Sequence, residues 1–264
     1  MDNIFLLKVV LSFLIGGAWV LAATIIADKY GTKIGGLIAG LPSTLLFGLI
    51  FIGWTQNPQI AVQATTIVPI IGGINTIFLI IFASQIKNGL LKSLSYSFAL
   101  WIILSFLAIA VKITNYGAIL LSYIIMFSAS FYFFEYKLHV QSVVGRKIKY
   151  TQSQLLLRGS LSGLIISLSV LFAKIGGPTL GGMLGMFPAM FTSTLVISYL
   201  THGFQFSSAF AKSSMISSIS IVIYSIVVRY SYIPLGLIFG TLLATGVSAF
   251  SGYLIYKFVL RKLS

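Results

Sequence analysis

The stretch GGLIAGLPSTLLFG, residues 35–48, lies inside a hydrophobic run long enough to cross a bilayer, yet it is poor helix material. Two adjacent glycines are followed by Gly40 and then Pro42. Glycine costs about 1 kcal/mol relative to alanine in a helix interior, and proline about 3 kcal/mol. The same irregularity returns in GGMLGMFPAMFTST, residues 181–194. A shift of 146 residues places Gly35 on Gly181, Gly36 on Gly182 and Pro42 on Pro188 without a gap. It also places Ala27 on Ala173, Gly31 on Gly177, Leu49 on Leu195, Thr55 on Thr201 and Gln59 on Gln205. Two glycine pairs and a proline held in phase predict an internal duplication.

Composition fixes the class around these stretches. Of 264 residues, 58% are hydrophobic and 8% charged, and the mean hydropathy is +1.05. A soluble domain of this size does not bury that fraction, so the chain reads as an all-α, polytopic membrane protein. A spanning helix needs about 20 mainly apolar residues. That rule predicts nine helices, at 4–27, 34–54, 63–85, 90–111, 116–136, 154–174, 179–200, 208–229 and 233–257. The first apolar run exceeds a signal-peptide core and no small-x-small cleavage site follows, so a retained helix is expected. The predicted units are 1–113, a first four-helix repeat; 114–150, a connecting helix with a basic loop; and 151–264, a second repeat.

The net charge of +14 comes from cations in short breaks between apolar runs, which argues for orientation signals rather than nucleic-acid binding. With nine spans, Lys8, Lys112, Lys174 and Arg229 fall on the side of the N-terminus. The other thirteen cations, including Lys29, Lys33, Arg146, Lys147, Lys149, Arg158 and Lys212, fall opposite. Cytoplasmic loops carry the excess, so the N-terminus is expected outside and the C-terminus in the cytoplasm of a cell-membrane protein. The basic segment 137–158 is expected to orient the chain and touch anionic lipid. An odd connecting helix then inverts the second repeat relative to the first. Inverted repeats with matching Gly/Pro interruptions mark the midplane sites of many secondary transporters. Pro42 and Pro188 fall eight or nine residues into their helices, about 12–13 Å, close to the centre of the hydrocarbon core.

GGMLGMFPAMFTSTLVISYLTHG is similar to the signature region of the GlpM-like family of small membrane proteins. GGLIAGLPSTLLFGLIFIG resembles the same region in relatives with a shorter side chain before the proline. The resemblance covers each repeat once and implies a duplicated, fused fold unit, with no particular chemistry. The plan of doubled four-helix units is also similar, by analogy of architecture, to the drug/metabolite transporter superfamily. Small multidrug transporters of that plan rely on a glutamate in the first membrane helix, and the first helix here has none.

The chain's acids are Asp2, Asp28 and Glu135, none of them expected at mid-bilayer; nor are His139 and His202. Carboxylate-based proton relays, metal-dependent intramembrane enzymes and thiol chemistry therefore lack their groups. No enzymatic activity, metal or cofactor is expected. Asp28 and Glu135 are expected at solvated helix ends, with Lys29, Lys33 or Lys137 within reach. Hydroxyls recur at helical spacing at Ser213, Ser217 and Ser220, beside Ser214, Ser218 and Ser225, and again at Thr241, Thr245 and Ser248. Such stripes face protein or water rather than lipid tails, whether for packing or for a polar pathway. The candidate solute site is Gly40, Pro42, Ser43, Thr44, Gly185, Pro188, Thr192, Ser193, Ser214 and Ser218. A small-solute transporter is expected, with a membrane scaffold or assembly factor as the alternative. Expected partners are membrane lipids and the solute, and a homo-oligomer is compatible with the sequence.

Overall fold

The computed structural model describes residues 3–39, 42–113, 115–140 and 150–260, with side chains in the first segment up to residue 26 and in the last up to 259. Every regular element among them is helical. The helices are α1 (Asn3–Ala39), α2 (Ser43–Thr55), α3 (Pro58–Ala64), α4 (Val68–Gln85), α5 (Leu90–Val111), α6 (Tyr116–Tyr132), α7 (Gln152–Ile175), α8 (Pro178–Gly185) and α9 (Ala189–Ile255). A single 3-10 turn joins α3 to α4, and α6 ends in a π-helical turn over Phe133–Lys137.

Six helical stretches are long and apolar enough to cross a membrane: Asn3–Ile26, Pro58–Asn88, Leu90–Val111, Tyr116–Lys137, Gln152–Ile175 and Pro178–Val259. The apolar α2 is shorter, at 13 residues. Large side chains such as Leu91, Ile103, Ile238 and Phe239 point outward, as lipid-facing residues do. The chain has the character of a multi-pass membrane protein.

Those stretches differ from the nine expected spans in where the backbone breaks. α1 runs on without a break through Gly31, Gly35 and Gly36, because a glycine weakens a helix without preventing it. The Pro178–Val259 stretch, 82 residues long, breaks between α8 and α9, at Gly203 and at Gly236. Gly203 (φ 83°, ψ −178°) and Gly236 (φ 73°, ψ 176°) adopt a backbone that a side chain would strain, so α9 is three arms, 189–202, 204–235 and 237–255.

These breaks have partners in the first half. Pro42 and Pro188 each stand just before a helix with similar backbone angles (φ −76°, ψ 55° and φ −77°, ψ 36°). Each gives its carbonyl to the amide four residues on, from Leu46 at 2.7 Å and from Thr192 at 2.8 Å. Asn57, 146 residues before Gly203, separates α2 from α3 in an extended conformation. Gly89 (φ 111°, ψ 148°), 147 residues before Gly236, separates α4 from α5. One break has no counterpart: Gly177 (φ 89°) turns α8 back onto α7, whereas the matching Gly31 is helical.

The core is built on two antiparallel crossings. α1 packs along α7 through glycine. A Cβ on Gly17 would lie 2.8 Å from the Gly159 carbonyl oxygen, and one on Gly163 would meet the carbonyl of Phe13. Residue 17 meeting 159 while 13 meets 163 makes the two helices antiparallel. α4 crosses the middle arm of α9 in the same sense, Thr66 meeting Arg229 and Gly72 meeting Val222. Small residues allow such close approach where apolar burial offers no drive between helices in lipid.

Candidate functional site

Both proline interruptions are buried, and the elements flanking them touch. Gly185, last in α8, lies where a Cβ would stand 3.4 Å from Leu45 in the first turn of α2 and 3.3 Å from Ser169 Oγ on α7. Pro42, Ser43, Gly185 and Pro188 are each buried and Thr44 half-buried, and the contact of Gly185 with Leu45 joins their two elements. Gly40 lies outside the described residues.

The backbone groups released at the second interruption are largely taken up by the protein. The Met186 and Phe187 amides turn back to the Met183 and Leu184 carbonyls at 3.1 and 2.9 Å, and Ala189 N–H reaches Phe187 at 2.8 Å. Asn75 on α4, 2% exposed, donates Nδ2–H to the Met186 carbonyl at 2.9 Å. Its own Oδ1 accepts the Trp101 indole N–H at 2.7 Å. Phe187 stacks on Phe98 and meets Trp101 edge-on, at ring distances of 5.7 and 5.2 Å. Ser169 Oγ donates to the Gly181 carbonyl at 2.6 Å. Broken helices persist in lipid only when neighbours re-satisfy them, and Asn75 does that here. Sequence patterning gave no hint of Asn75 beyond its being an amide in the apolar run of α4.

On the far side of Pro188 the first turns of α9 meet a charge. Arg158, on α7, is 5% exposed. Its Nη1 donates to Ser193 Oγ at 3.0 Å and to Thr194 Oγ1 at 2.5 Å, and Nη2 lies 3.7 Å from Met190 Sδ. Ser193 and Thr194 pass their own protons to the Met190 carbonyl. The Tyr150 ring lies 4.8 Å from the guanidinium carbon. Arg158 Nε and Thr192 Oγ1 are buried without a hydrogen-bond partner among the described residues. Arg158 is therefore not among the lipid-contacting surface cations that the sequence expected over 137–158. It sits six residues inside α7, about 9 Å along the axis, held by hydroxyls rather than by a carboxylate. Removing an ion from water costs several kcal/mol even after relaxation, and neutral hydroxyls return part of that.

The other buried cation is compensated. Lys212, 2% exposed on the middle arm of α9, lies 2.7 Å from Glu135, which is 25% exposed. Its ammonium also donates to the Val140 carbonyl at 2.7 Å. Glu135 thus pairs across helices with Lys212, because the π-helical turn at the end of α6 carries it towards α9, and the side chains of Lys29 and Lys33 lie outside the described residues. His202 bonds its neighbour Thr201 at 2.7 Å and lies against Phe206.

The hydroxyl stripe of α9 is mostly turned inward on its own backbone. Ser218, Ser220 and Ser225 donate to carbonyls three residues earlier. Ser218 also lies 3.5 Å from Tyr123 on α6, so it looks towards the connecting helix and not towards Pro188. Ser214 is buried on the same arm. Ser248 bonds the Ser220 carbonyl at 2.8 Å and ties the last arm to the middle one. Two shallow cavities occur: one of about 150 Å³ between α1 and α7, and one of about 210 Å³ between α2 and the last arm of α9.

Residues 9–114 match the model of a protein family of unknown function, DUF3147. Comparison with curated proteins gives no match, and neither does comparison with solved structures.

Proposed function

We propose that this chain is a small-solute transporter of nine spans, assembled from inverted four-helix units at 1–113 and 151–264, with its site where the two proline interruptions meet. The observation that carries the proposal is the pairing of breaks: 42 with 188, 57 with 203 and 89 with 236. The antiparallel glycine crossing supports it. Under the 146-residue shift, the contact of Gly17 with Gly159 becomes that of Gly163 with Phe13, and both occur. The DUF3147 match over 9–114 has nearly the bounds of one such unit. The fused GlpM-like duplication, a cell-membrane location with a cytoplasmic C-terminus, and contact with anionic lipid on that side belong to the same proposal.

A scaffold without transport is the second reading. Asn75 filling the Met186 carbonyl favours it, because that group would otherwise be open to a ligand. Ligand-induced stabilisation of the purified protein separates the two. A compound at about 100 times its dissociation constant adds roughly 2.7 kcal/mol. A panel of metabolites, amphiphiles and ions is expected to give at least one stabilising compound whose effect is lost or altered in both Pro42→Ala and Pro188→Ala. A folded protein that responds to none of them sinks the transporter and leaves the scaffold.

A further inference from the structure

Packing does not explain the buried Arg158. A guanidinium needs acceptors for five N–H groups and a balancing charge. Nη1 has two hydroxyl partners, Nη2 has a long contact to a thioether, and Nε has none. Among the described residues no carboxylate approaches it, and Glu135 is already held by Lys212. Asp28 is the remaining acid outside the N-terminal tail, and its side chain lies outside the described residues. An ionisable group inside a membrane helix marks a functional site by default, and among the described residues Arg158 has no counter-charge. Arginine is also the side chain whose planar fork matches an oxyanion in two-point fashion.

The surroundings fit that use. Arg158 lies along the first two turns of α9, directly after the Pro188 break. The Met190 and Phe191 amides begin the helix with no backbone acceptor, and a helix start favours negative charge. Tyr150 lies over the guanidinium on the side of the basic loop. Arginine and a helix start thus meet in one buried place, whereas Thr192, about 150° around α9 from Met190, Ser193 and Thr194, faces away from it.

We infer that this place binds an oxyanion, the carboxylate or phosphate group of the solute, with Arg158 as its principal ligand and the first free amides of α9 beside it. The inference rests on the transporter reading and names its substrate class as anionic. A soluble anion and an anionic lipid headgroup offer the same chemistry, and the experiment distinguishes them.

The protein is purified into nanodiscs of phosphatidylcholine alone, and its Tm is read against sodium phosphate, sodium acetate and sodium chloride at constant ionic strength. A parallel set contains phosphatidylglycerol. Phosphate or acetate is expected to raise Tm by about 5 °C or more at saturation, with chloride inert. Arg158→Gln is expected to abolish the response, and Arg158→Lys to weaken the apparent affinity about tenfold because the fork is lost. A rise seen only with phosphatidylglycerol, and lost in Arg158→Gln, assigns the oxyanion to lipid. If Arg158→Gln does not fold, Arg158→Lys carries the test, and an apparent affinity unchanged in that variant overturns the inference. The inference is overturned if no anion or anionic lipid shifts the wild type. It is equally overturned if Asp28→Asn lowers basal Tm as far as Arg158→Gln does, since that makes Asp28 the counter-ion. Neutral solutes acting through Pro42 and Pro188 would leave the transporter standing while the anion falls. Anion binding through Arg158, without uptake into proteoliposomes, would do the reverse.

Discussion

At the scale of single residues, the second interruption depends on Asn75 more than on the proline that causes it. One amide side chain spends its donor on the Met186 carbonyl and its acceptor on Trp101, and both partners are buried. Asn75→Leu has nearly the right volume but leaves a carbonyl and an indole N–H unsatisfied. Each such orphan costs about 1–3 kcal/mol. We expect Asn75→Leu to lower the Tm in detergent clearly, and Asn75→Asp to lower it less, because a carboxyl kept neutral by burial can donate its proton to Met186 and still accept from Trp101. Equal stability of Asn75→Leu and wild type would mean that the break needs no such support. Arg158 and Asn75 were both hard to see in the sequence for one physical reason. In lipid a helix is apolar on the face towards its neighbours and on the face towards the tails, so hydrophobic periodicity cannot say which side is buried. Proline is different: its missing N–H and fixed φ constrain the backbone wherever it sits, and Pro42 and Pro188 could be read directly.

Among the elements, the α1–α7 crossing is where the two halves grip each other, and its direction matters most. The antiparallel sense follows from backbone contacts at Gly17 with Gly159 and at Gly163 with Phe13. It can be checked covalently, because the chain contains no cysteine to interfere. A Cβ on Gly159 would stand 3.4 Å from that of Leu21, close to the separation a disulfide bridges. The double variant Leu21→Cys, Gly159→Cys is expected to form an intramolecular disulfide on mild oxidation, detected as a mobility shift reversed by reductant. A Leu21→Cys, Ile175→Cys pair should not, because it lies about 24 Å further along α7. Cross-linking of the second pair alone would require the opposite direction and would remove the support this crossing gives to inversion. The glycines here were visible in the sequence, but a glycine pattern alone cannot tell a crossing from a break. Gly31, Gly35 and Gly36 lie within unbroken helix, while Gly203 and Gly236 end arms. What separates them is the sign of φ, which depends on tertiary packing.

For the whole molecule, inversion makes a demand that no local contact can meet by accident. If the second unit repeats the first upside down, matched breaks must lie on opposite faces of the membrane. Asn57 and Gly203 are one such pair, and Gly89 and Gly236 another. Truncated chains carrying a topology reporter after residues 57, 89, 203 and 236 should read outside, inside, inside and outside. The distribution of Lys and Arg predicts the same: Lys87 and Lys92 flank Gly89, whereas Arg229 is the one cation between Gly203 and Gly236 on the outer side. Arg229 itself is held by Thr66 at 2.9 Å and lies over Tyr116, so it is bound to the first half rather than free to reorient. Reporters after 57 and 203 reading the same face would exclude an inverted pair whatever the local geometry. The two halves would then be parallel copies, and the contact of Gly185 with Leu45 between the two interruptions would lose its meaning as a site shared between opposed units. Opposite readings at both pairs would instead leave the molecule with a two-fold relation in the membrane plane, the symmetry that lets one closed face exchange with the other around a fixed ligand.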